Sequence, residues 1–352
     1  MISDIFIPKN MILKQAMRQM DKGGQRILFV VDGQGRLIGS LSDGDIRRGI
    51  IKNHDLNDSI ATVYNSRPFF SAQPYDLEKV KAAMVTMKIE RVPVIDEHRR
   101  IVAVLKWEDL FGGNRPVKDK LSIPVMIMAG GKGTRLDPVT RILPKPLVPI
   151  GERSIIDIII DKFTEYGMEE FYISIQHKAK LIKAFFEEKD VAYKVHFIEE
   201  QKPLGTAGSL RLLLGRIRDR VWVSNCDIII DGNYAEIADF HLKGGYDLTI
   251  VGSFRHFTVP YGICRIADGG ELEDMIEKPE YDFLVNTGMV LVEKRALRLI
   301  PANREFHIPD LIAKIKKKGG KVGVFPVNEK SWIDIGEWEK YKQTMEDFEK
   351  KI

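Results

Sequence analysis

From Met128 to Pro146 the chain reads Met-Ala-Gly-Gly-Lys-Gly-Thr-Arg-Leu-Asp-Pro-Val-Thr-Arg-Ile-Leu-Pro-Lys-Pro. An apolar run, Ile123 to Met128, breaks into a glycine-rich turn; Arg135 follows the turn, and Lys145 sits between two prolines. Glycines let the backbone approach an anion closely and aim its N–H groups at it. Arginine and lysine add fixed positive charge where a polyphosphate would lie. Ala129, Gly130, Gly131, Gly133 and Thr134 therefore read as a phosphate cradle, with Arg135 and Lys145 as its cations. Two other cradles are excluded. The spacing of Gly130, Gly131 and Gly133 does not fit G-x-x-x-x-G-K-[ST], and Leu136 stands where G-x-G-x-x-G needs its last glycine.

A second candidate is Asp227, which ends the strand-like run that begins at Val221. A carboxylate at a strand end is well placed to hold a divalent ion, or else to cap the turn that follows. The seven histidines show no metal-ligand spacing, and Cys226 beside Asp227 reads as buried packing rather than a nucleophile.

The elements that must position these residues alternate. Pro124–Met128 reads as a buried strand, and Phe171–Ile175, Val195–Glu199 and Val221–Asn225 read as further strands. Ser154 reads as the cap of a helix with Ile155, Ile156, Ile159 and Phe163 on one side. Strands alternating with helices imply an α/β fold with a mostly parallel sheet and helices on both faces, and ligands gather beyond the carboxyl ends of its strands.

The first third of the chain carries an internal repeat. Residues 31–46 and 95–110 align without a gap, and Asp32 to Asp96 and Asp45 to Asp109 both span 64 residues. Each copy has an apolar strand, a turn (32–35 or 96–99), a second strand and an acidic helix start. A helical stripe precedes each: Leu13, Ala16, Met17, Met20 and Val80, Ala83, Met84, Met87. A β-α-β-β-α unit this short buries its apolar face best against its twin.

Composition bounds the class. At 352 residues, 44% hydrophobic and 30% charged, the chain is long enough for two or three globular domains. Two cysteines give no disulfide framework and fit a reducing cytoplasm. No apolar run approaches the roughly 20 residues of a membrane span, and the first residues lack the basic start of a signal peptide. A net charge of +4 is too small to argue for nucleic acid, and Lys314–Lys318 reads as a solvated helix end. We expect a cytoplasmic protein with neither a membrane nor a nucleic-acid partner.

The stretch 130–146 resembles the signature G-G-x-G-T-R-L-x-P…P-K-P of the sugar-1-phosphate nucleotidyltransferases, a likeness that extends over about residues 123–345. It implies a Rossmann-like fold with some antiparallel additions, and attack of a sugar-1-phosphate oxygen on the α-phosphorus of a nucleoside triphosphate. Such a step needs positioning and charge neutralisation more than covalent help. By this resemblance Arg135 holds the β- and γ-phosphates, Lys145 bridges nucleotide and attacking phosphate, and Asp227 binds Mg²⁺. Asp334, in the W-x-D-x-G match 332–336, is the second metal ligand. Tyr261-Gly262, Glu277-Lys278-Pro279 and Asn286-Thr287-Gly288 match the sugar motifs Y-G, E-K-P and N-x-G. Gly262 would leave room for a hexose, Glu277 accept its hydroxyls, Lys278 bind its phosphate, and Asn286 and Gly288 close over it.

The base-recognition segment of the resembling family falls at 199–208, with Glu200 at the reading position five before Gly205. A carboxylate only accepts hydrogen bonds. Guanine presents two adjacent donors, whereas uracil and thymine offer one donor between two acceptors, and adenine and cytosine one exocyclic donor beside an acceptor. Glu200 therefore favours GTP, unless it faces solvent and Glu199 or Gln201 reads the base. The sugar is less legible.

The repeat resembles a tandem cystathionine-β-synthase-type (CBS) pair. In that family a Ser or Thr three residues before an Asp holds a nucleotide's phosphate and ribose. Ser42 and Asp45 fit; the second copy keeps Asp109 but has Lys106 in place of the hydroxyl. The pair either senses an adenine nucleotide or serves as a dimerisation clamp. We expect CBS motifs over 1–56 and 57–112, a linker over 113–122 and the catalytic domain over 123–352, in a homo-oligomer. A CBS pair ahead of this catalytic domain resembles the glucosamine-1-phosphate guanylyltransferases of bacterial legionaminic acid synthesis. Heptose-1-phosphate and mannose-1-phosphate guanylyltransferases are the alternatives, as is a nucleotide-sensing regulatory protein with an inactive catalytic region.

Overall fold

The computed structural model describes residues 2–24, 26–111, 120–336 and 341–342. The chain forms two compact units, Met1–Lys118 and Asp119–Ile352. Residues 113–119 of the expected linker lie outside the described residues.

In the first unit the repeat is visible as two copies of one arrangement. β1 (Phe6–Pro8), α1 (Leu13–Gly23), β2 (Ile27–Val31), β3 (Leu37–Ser42) and α2 (Asp43–Ile51) are followed by β4 (Ser71–Ala72), α3 (Leu77–Met87), β5 (Arg91–Ile95), β6 (Ile101–Lys106) and α4 (Trp107–Phe111). In each copy a short strand pairs parallel with the first strand of a hairpin, and the hairpin is bulged at the equivalent step, Val30/Val31 and Val94/Ile95. The turn chemistry is the same too. Asp32 Oδ1 accepts from the N–H groups of Gln34 and Arg36, and Asp96 Oδ1 from those of His98 and Arg100. This is the side-chain-to-backbone bonding that favours Asp at turn starts. The two turns meet at an antiparallel bridge between Arg36 and Arg100.

The copies differ at the second helix. Ser42 caps α2 in a reciprocal capping box with Asp45, whereas Lys106 has no oxygen to cap α4. The segment 56–65 hydrogen-bonds to the first copy, through Asp58 and Leu56 carbonyls to α1 and through Asn65 to Ser40. The expected division at 56/57 thus falls at the start of a segment laid against the first copy.

The second unit is a three-layer α/β fold. β7 (Val125–Met128), α5 (Ile155–Thr164), β8 (Glu170–Ile175), α6 (Ala179–Glu187), β9 (Lys194–Glu199), β10 (Arg220–Asn225), β11 (Ile228–Ile230), α7 (Tyr234–Gly244), β12 (Leu248–Thr258), β13 (Ile263–Ile266), β14 (Leu272–Ile276), β15 (Glu280–Glu293), α8 (Ile308–Lys317), β16 (Val322–Val327) and β17 (Trp332–Asp334) follow in order. Seven strands form the central sheet, ordered β9-β8-β7-β10-β15-β12-β16. Four run parallel from β9 to β10; β15 enters antiparallel to both its neighbours, and β12 and β16 are parallel. Alternation sends Val125 and Ile127 into one apolar layer with α5 and α7, and Met126 into another with α8. Ser154 does cap α5, accepting from the Asp157 N–H at 3.3 Å. β7, β8, β9 and β10 lie where the sequence pattern places strands, within one residue at each end.

Three strands of the sheet, β12, β15 and β16, are not among the four the sequence pattern shows, and β15 runs against both its neighbours. Its last residue, Glu293, joins a part-buried ionic cluster. His241 is buried, with Nδ1 2.8 Å from Thr249 Oγ1 and Nε2 3.1 Å from Glu293 Oε1, and Arg220 Nε donates to the same oxygen at 2.8 Å. Burial holds the His241 pKa below its usual 6.5, partly opposed by the Glu293 carboxylate. The neutral ring matches the geometry, accepting from Thr249 and donating to Glu293. A histidine held below its unfolded pKa contributes stability above about pH 6.5, lost as the pH falls through that value and the unfolded chain takes up the proton. The melting temperature should therefore drop between pH 7.5 and 5.5 with a steeper slope in wild type than in His241→Gln. Equal slopes in a pH series of thermal melts would contradict this.

Candidate active site

The cradle residues line a cleft of about 360 Å³ at the carboxyl ends of β7 and β10. Its wall is made by Gly130, Gly131, Gly133, Thr134 and Arg135 with Lys145, Asp227, Glu200 and Pro203–Thr206, and Glu200 lies beside the first glycine, a Cβ on Gly130 falling 3.6 Å from its Oε1. Ala129 lies buried behind the wall, its N–H bonded to the Ser174 carbonyl. Local turns build the loop. Gly133 takes a left-handed φ of +70°, and a Cβ there would sit 3.0 Å from that of Lys145. Only glycine lets the loop fold this closely over the lysine. Buried Thr140 ties the loop down, with its hydroxyl 3.0 Å from both the Gly133 carbonyl and the Asp137 carboxylate. Its own carbonyl accepts from Lys178 Nζ at 2.8 Å.

At the centre Lys145 Nζ donates to Asp227 Oδ2 at 2.5 Å; the residues are 7% and 9% exposed. Arg135 stands at the rim, its side chain 63% exposed, with Nη2 3.8 Å from the same oxygen. Asp334 reaches this point by a ribbon rather than by the main sheet. β11 pairs antiparallel with β17, opposing Ile228 to Asp334, and the Ile335 N–H donates to the Asp227 carbonyl. A Cβ on Gly336 would lie 2.8 Å from Asp334 Oδ1, 3.1 Å from Asp227 Oδ2 and 3.5 Å from Arg135 Nη2. Both carboxylates therefore converge beside a cation, 107 positions apart in the chain. The donor set suits Mg²⁺, which binds through one or two carboxylates and completes its shell with water and phosphate oxygens. No group of three or more His, Cys, Asp or Glu side chains that could hold a metal ion occurs among the described residues. Cys226 also borders the cleft; burial, then the Asp227 charge, push its thiol up to about 12, so it stays protonated at neutral pH.

Glu200 Oε1 accepts from the Ser174 hydroxyl, and Oε2 accepts from the Leu204 N–H at 3.0 Å. Gly205 has φ +74°, with a would-be Cβ 2.6 Å from the Phe306 carbonyl, so the turn cannot carry a side chain without moving that backbone.

The sugar-motif residues are placed elsewhere. The outer halves of β12 and β15 run out as a two-stranded ribbon that carries the β13–β14 hairpin. Tyr261-Gly262 leads into this hairpin and Glu277-Lys278 leads out, so they meet, with Glu277 Oε2 2.9 Å from a would-be Gly262 Cβ. Tyr261 is 74% exposed, and none of these four lines the cleft. Asn286 and Gly288 lie nearer: a Gly288 Cβ would fall 2.5 Å from Nδ2 of Asn225, a cleft residue. Sequence reasoning missed Thr140, Ser174 and Asn225. For Ser174 and Asn225 the available signal was a polar residue in an apolar strand run, since a buried hydroxyl or amide needs a partner; Thr140, in the turn Val139–Arg141, gave none.

A model of the family described as Nucleotidyl transferase matches residues 124–351, and a CBS domain model matches residues 1–52. The chain belongs to the nucleotidyl transferase family. A UTP–glucose-1-phosphate uridylyltransferase of Synechocystis sp. is 27% identical over 245 residues, which are 62% of each chain. A mannose-1-phosphate guanyltransferase of Aspergillus oryzae is 30% identical over 222 residues, 60% of each chain. The chain thus spans about three fifths of the length of these curated relatives. The crystal structure of HddC from Yersinia pseudotuberculosis superposes with a TM-score of 0.51 at 27% identity, covering 64% of this chain and 99% of HddC; it has also been solved complexed with GMP-PN.

The buried pair has a thermal consequence. Truncating one member of such a pair typically costs about 3–5 kcal/mol, because it strands the other charge. Asp227→Ala should lower the melting temperature by roughly 10 °C, at about 2–4 °C per kcal/mol for a unit of this size. Asp227→Asn, which keeps an acceptor for Lys145, should lower it by clearly less; the comparison is made by calorimetry on the two variants.

Proposed function

We propose that this chain is a guanylyltransferase that condenses GTP with a sugar 1-phosphate to give GDP-sugar and pyrophosphate. The observation that carries the reading is the gathering in one cleft of an acceptor-only carboxylate, Glu200, a glycine loop and two cations, Arg135 and Lys145. A nucleoside triphosphate laid along it would put its base on Glu200 and its phosphates over Gly130–Gly133. Arg135, at the open rim, neutralises the β- and γ-phosphates. Lys145 orients the α-phosphate and the attacking sugar phosphate. Asp227 and Asp334 would hold Mg²⁺, which when bound supplies further neutralisation of phosphate charge. The ribbon bearing Tyr261, Gly262, Glu277 and Lys278, with Asn286 and Gly288 at its base, is our candidate for the sugar contacts.

Among sugars we favour glucosamine 1-phosphate, on the resemblance of the CBS-plus-transferase arrangement to the enzymes of legionaminic acid synthesis. The mannose-1-phosphate guanyltransferase relatives favour mannose 1-phosphate as the second reading. The uridylyltransferase relative makes UTP the competing nucleotide. Pyrophosphate release should appear with GTP, require Mg²⁺ and stop on chelation. Glu200→Gln should shift preference toward UTP or TTP, because an amide offers both a donor and an acceptor. Unchanged preference would remove Glu200 from base reading, and no release with any nucleotide and sugar pair would support a regulatory protein instead.

For the first unit we propose one adenine-nucleotide site, at Ser42 and Asp45; Asp109 lacks the hydroxyl partner. AMP or ATP should raise the unit's melting temperature, as any ligand of the folded state does. Asp45→Ala should lower the baseline, since it breaks the capping box, and should also abolish the nucleotide-induced rise. No rise at saturating nucleotide would favour a clamp, through which copies of the chain would associate.

A further inference from the structure

We infer that Ser174 is a positioning residue for nucleotide-base selection: its hydroxyl fixes the Glu200 carboxylate in the orientation that pairs with guanine. This rests on the proposed reading of Glu200. Ser174 is 0% exposed and is the polar member of the buried run Phe171–Ile175. Its hydroxyl has one proton to donate, and it donates it to Glu200 Oε1. The Leu204 N–H, from the turn leading into Gly205, holds Oε2 from the other side. A carboxylate offers about four lone-pair sites on its two oxygens. With one site of each oxygen bound inside the protein, one on each is left for the two adjacent donors of guanine, N1–H and the 2-amino group.

The register of the sheet gives Ser174 this role. It pairs with Met128 on one side and Ile198 on the other. Its carbonyl accepts from the Ala129 N–H at 2.9 Å, where the phosphate cradle begins, and the Ile175 carbonyl beside it accepts from the Glu200 N–H at 3.0 Å. One residue thus ties the start of the cradle by its backbone and the base-reading carboxylate by its side chain. Gly130 is a direct neighbour of this carboxylate, a Cβ there lying 3.6 Å from Glu200 Oε1, at ordinary contact distance.

The test compares GTP with ITP, whose base keeps N1–H and lacks the 2-amino group, in steady-state pyrophosphate release by the full chain. Wild type should prefer GTP by roughly tenfold or more in kcat/KM, the size of one hydrogen bond to a charged group. Ser174→Ala should raise KM for GTP by about tenfold, change kcat less than twofold and collapse the GTP-to-ITP ratio toward one. Ser174→Thr, which keeps the hydroxyl, should restore the ratio. If the alanine variant does not fold by thermal melt, Ser174→Cys keeps the size with a weaker donor and should show an intermediate ratio. A wild-type ratio in Ser174→Ala, or in the cysteine variant where that is used, overturns the inference. If Glu200→Gln shifts nucleotide preference while the Ser174 variants do not, only the role of Ser174 fails. If Glu200→Gln changes nothing, the base reading itself fails.

Discussion

The ion pair of Lys145 with Asp227 is the constraint on which the second unit's site depends. Two charges taken out of water lose several kcal/mol of solvation each, and their mutual attraction recovers that only with close geometry and further partners. The structure meets this condition with pieces distant in the chain. β10 delivers Asp227 at its end, the cradle loop returns over itself to deliver Lys145, and the β11–β17 ribbon brings Asp334 to the same point. Each piece is locally forced. Gly133 must be left-handed and bare for the loop to close on the lysine, and Gly336 must be bare for the two carboxylates to converge. A hydrophobic replacement of the pair would serve stability as well or better, so its presence points to chemistry on anions rather than to folding.

Around that centre the cleft combines two kinds of group. Two cations and a glycine loop line it, and so does a carboxylate, Glu200. A uniformly charged ligand would suit only one of these kinds. On the proposed reading, a molecule with a polyanionic tail and a donor-bearing head would match both. Such a match would orient the ligand before any contact to sugar is made, in keeping with a reaction that depends on alignment more than on covalent help.

Much of this arrangement is legible in the sequence, and the limits have physical causes. The cradle, Lys145 and Asp227 are visible because glycine, proline and charge at fixed local spacing leave a chemical signature. β7, β8 and β10 are visible because strands buried on both faces are nearly continuous apolar runs, whereas edge strand β9 shows only the shorter pattern Val195, Phe197 and Ile198. β15 is not, because its outer half, 280–286, is exposed and mixed in character while only its inner half is apolar. Ser174 is not, because one hydroxyl in a strand looks the same whether it faces a carboxylate or its own backbone. The sugar motifs are legible as motifs, but their placement depends on how far a two-stranded ribbon leans over the cleft, which no local pattern encodes.

The first unit shows how a repeat separates what folding needs from what binding needs. Both copies keep the Asp turn, the bulge and the hairpin register, since each of these satisfies backbone groups and cannot be lost singly. The start of the second helix is under no such constraint. In the first copy Ser42 and Asp45 satisfy each other and Arg48 joins them at 2.6 Å; in the second, Lys106 replaces the serine and buried Trp107, stacked on Phe111, takes over the work of holding that helix. An oxygen pair that could accept from a ribose or a phosphate-bearing ligand's hydroxyls has thus been exchanged for apolar packing on one side only. A site built on that pair can exist once in this unit, whereas a clamp built on the hairpins would be indifferent to the exchange.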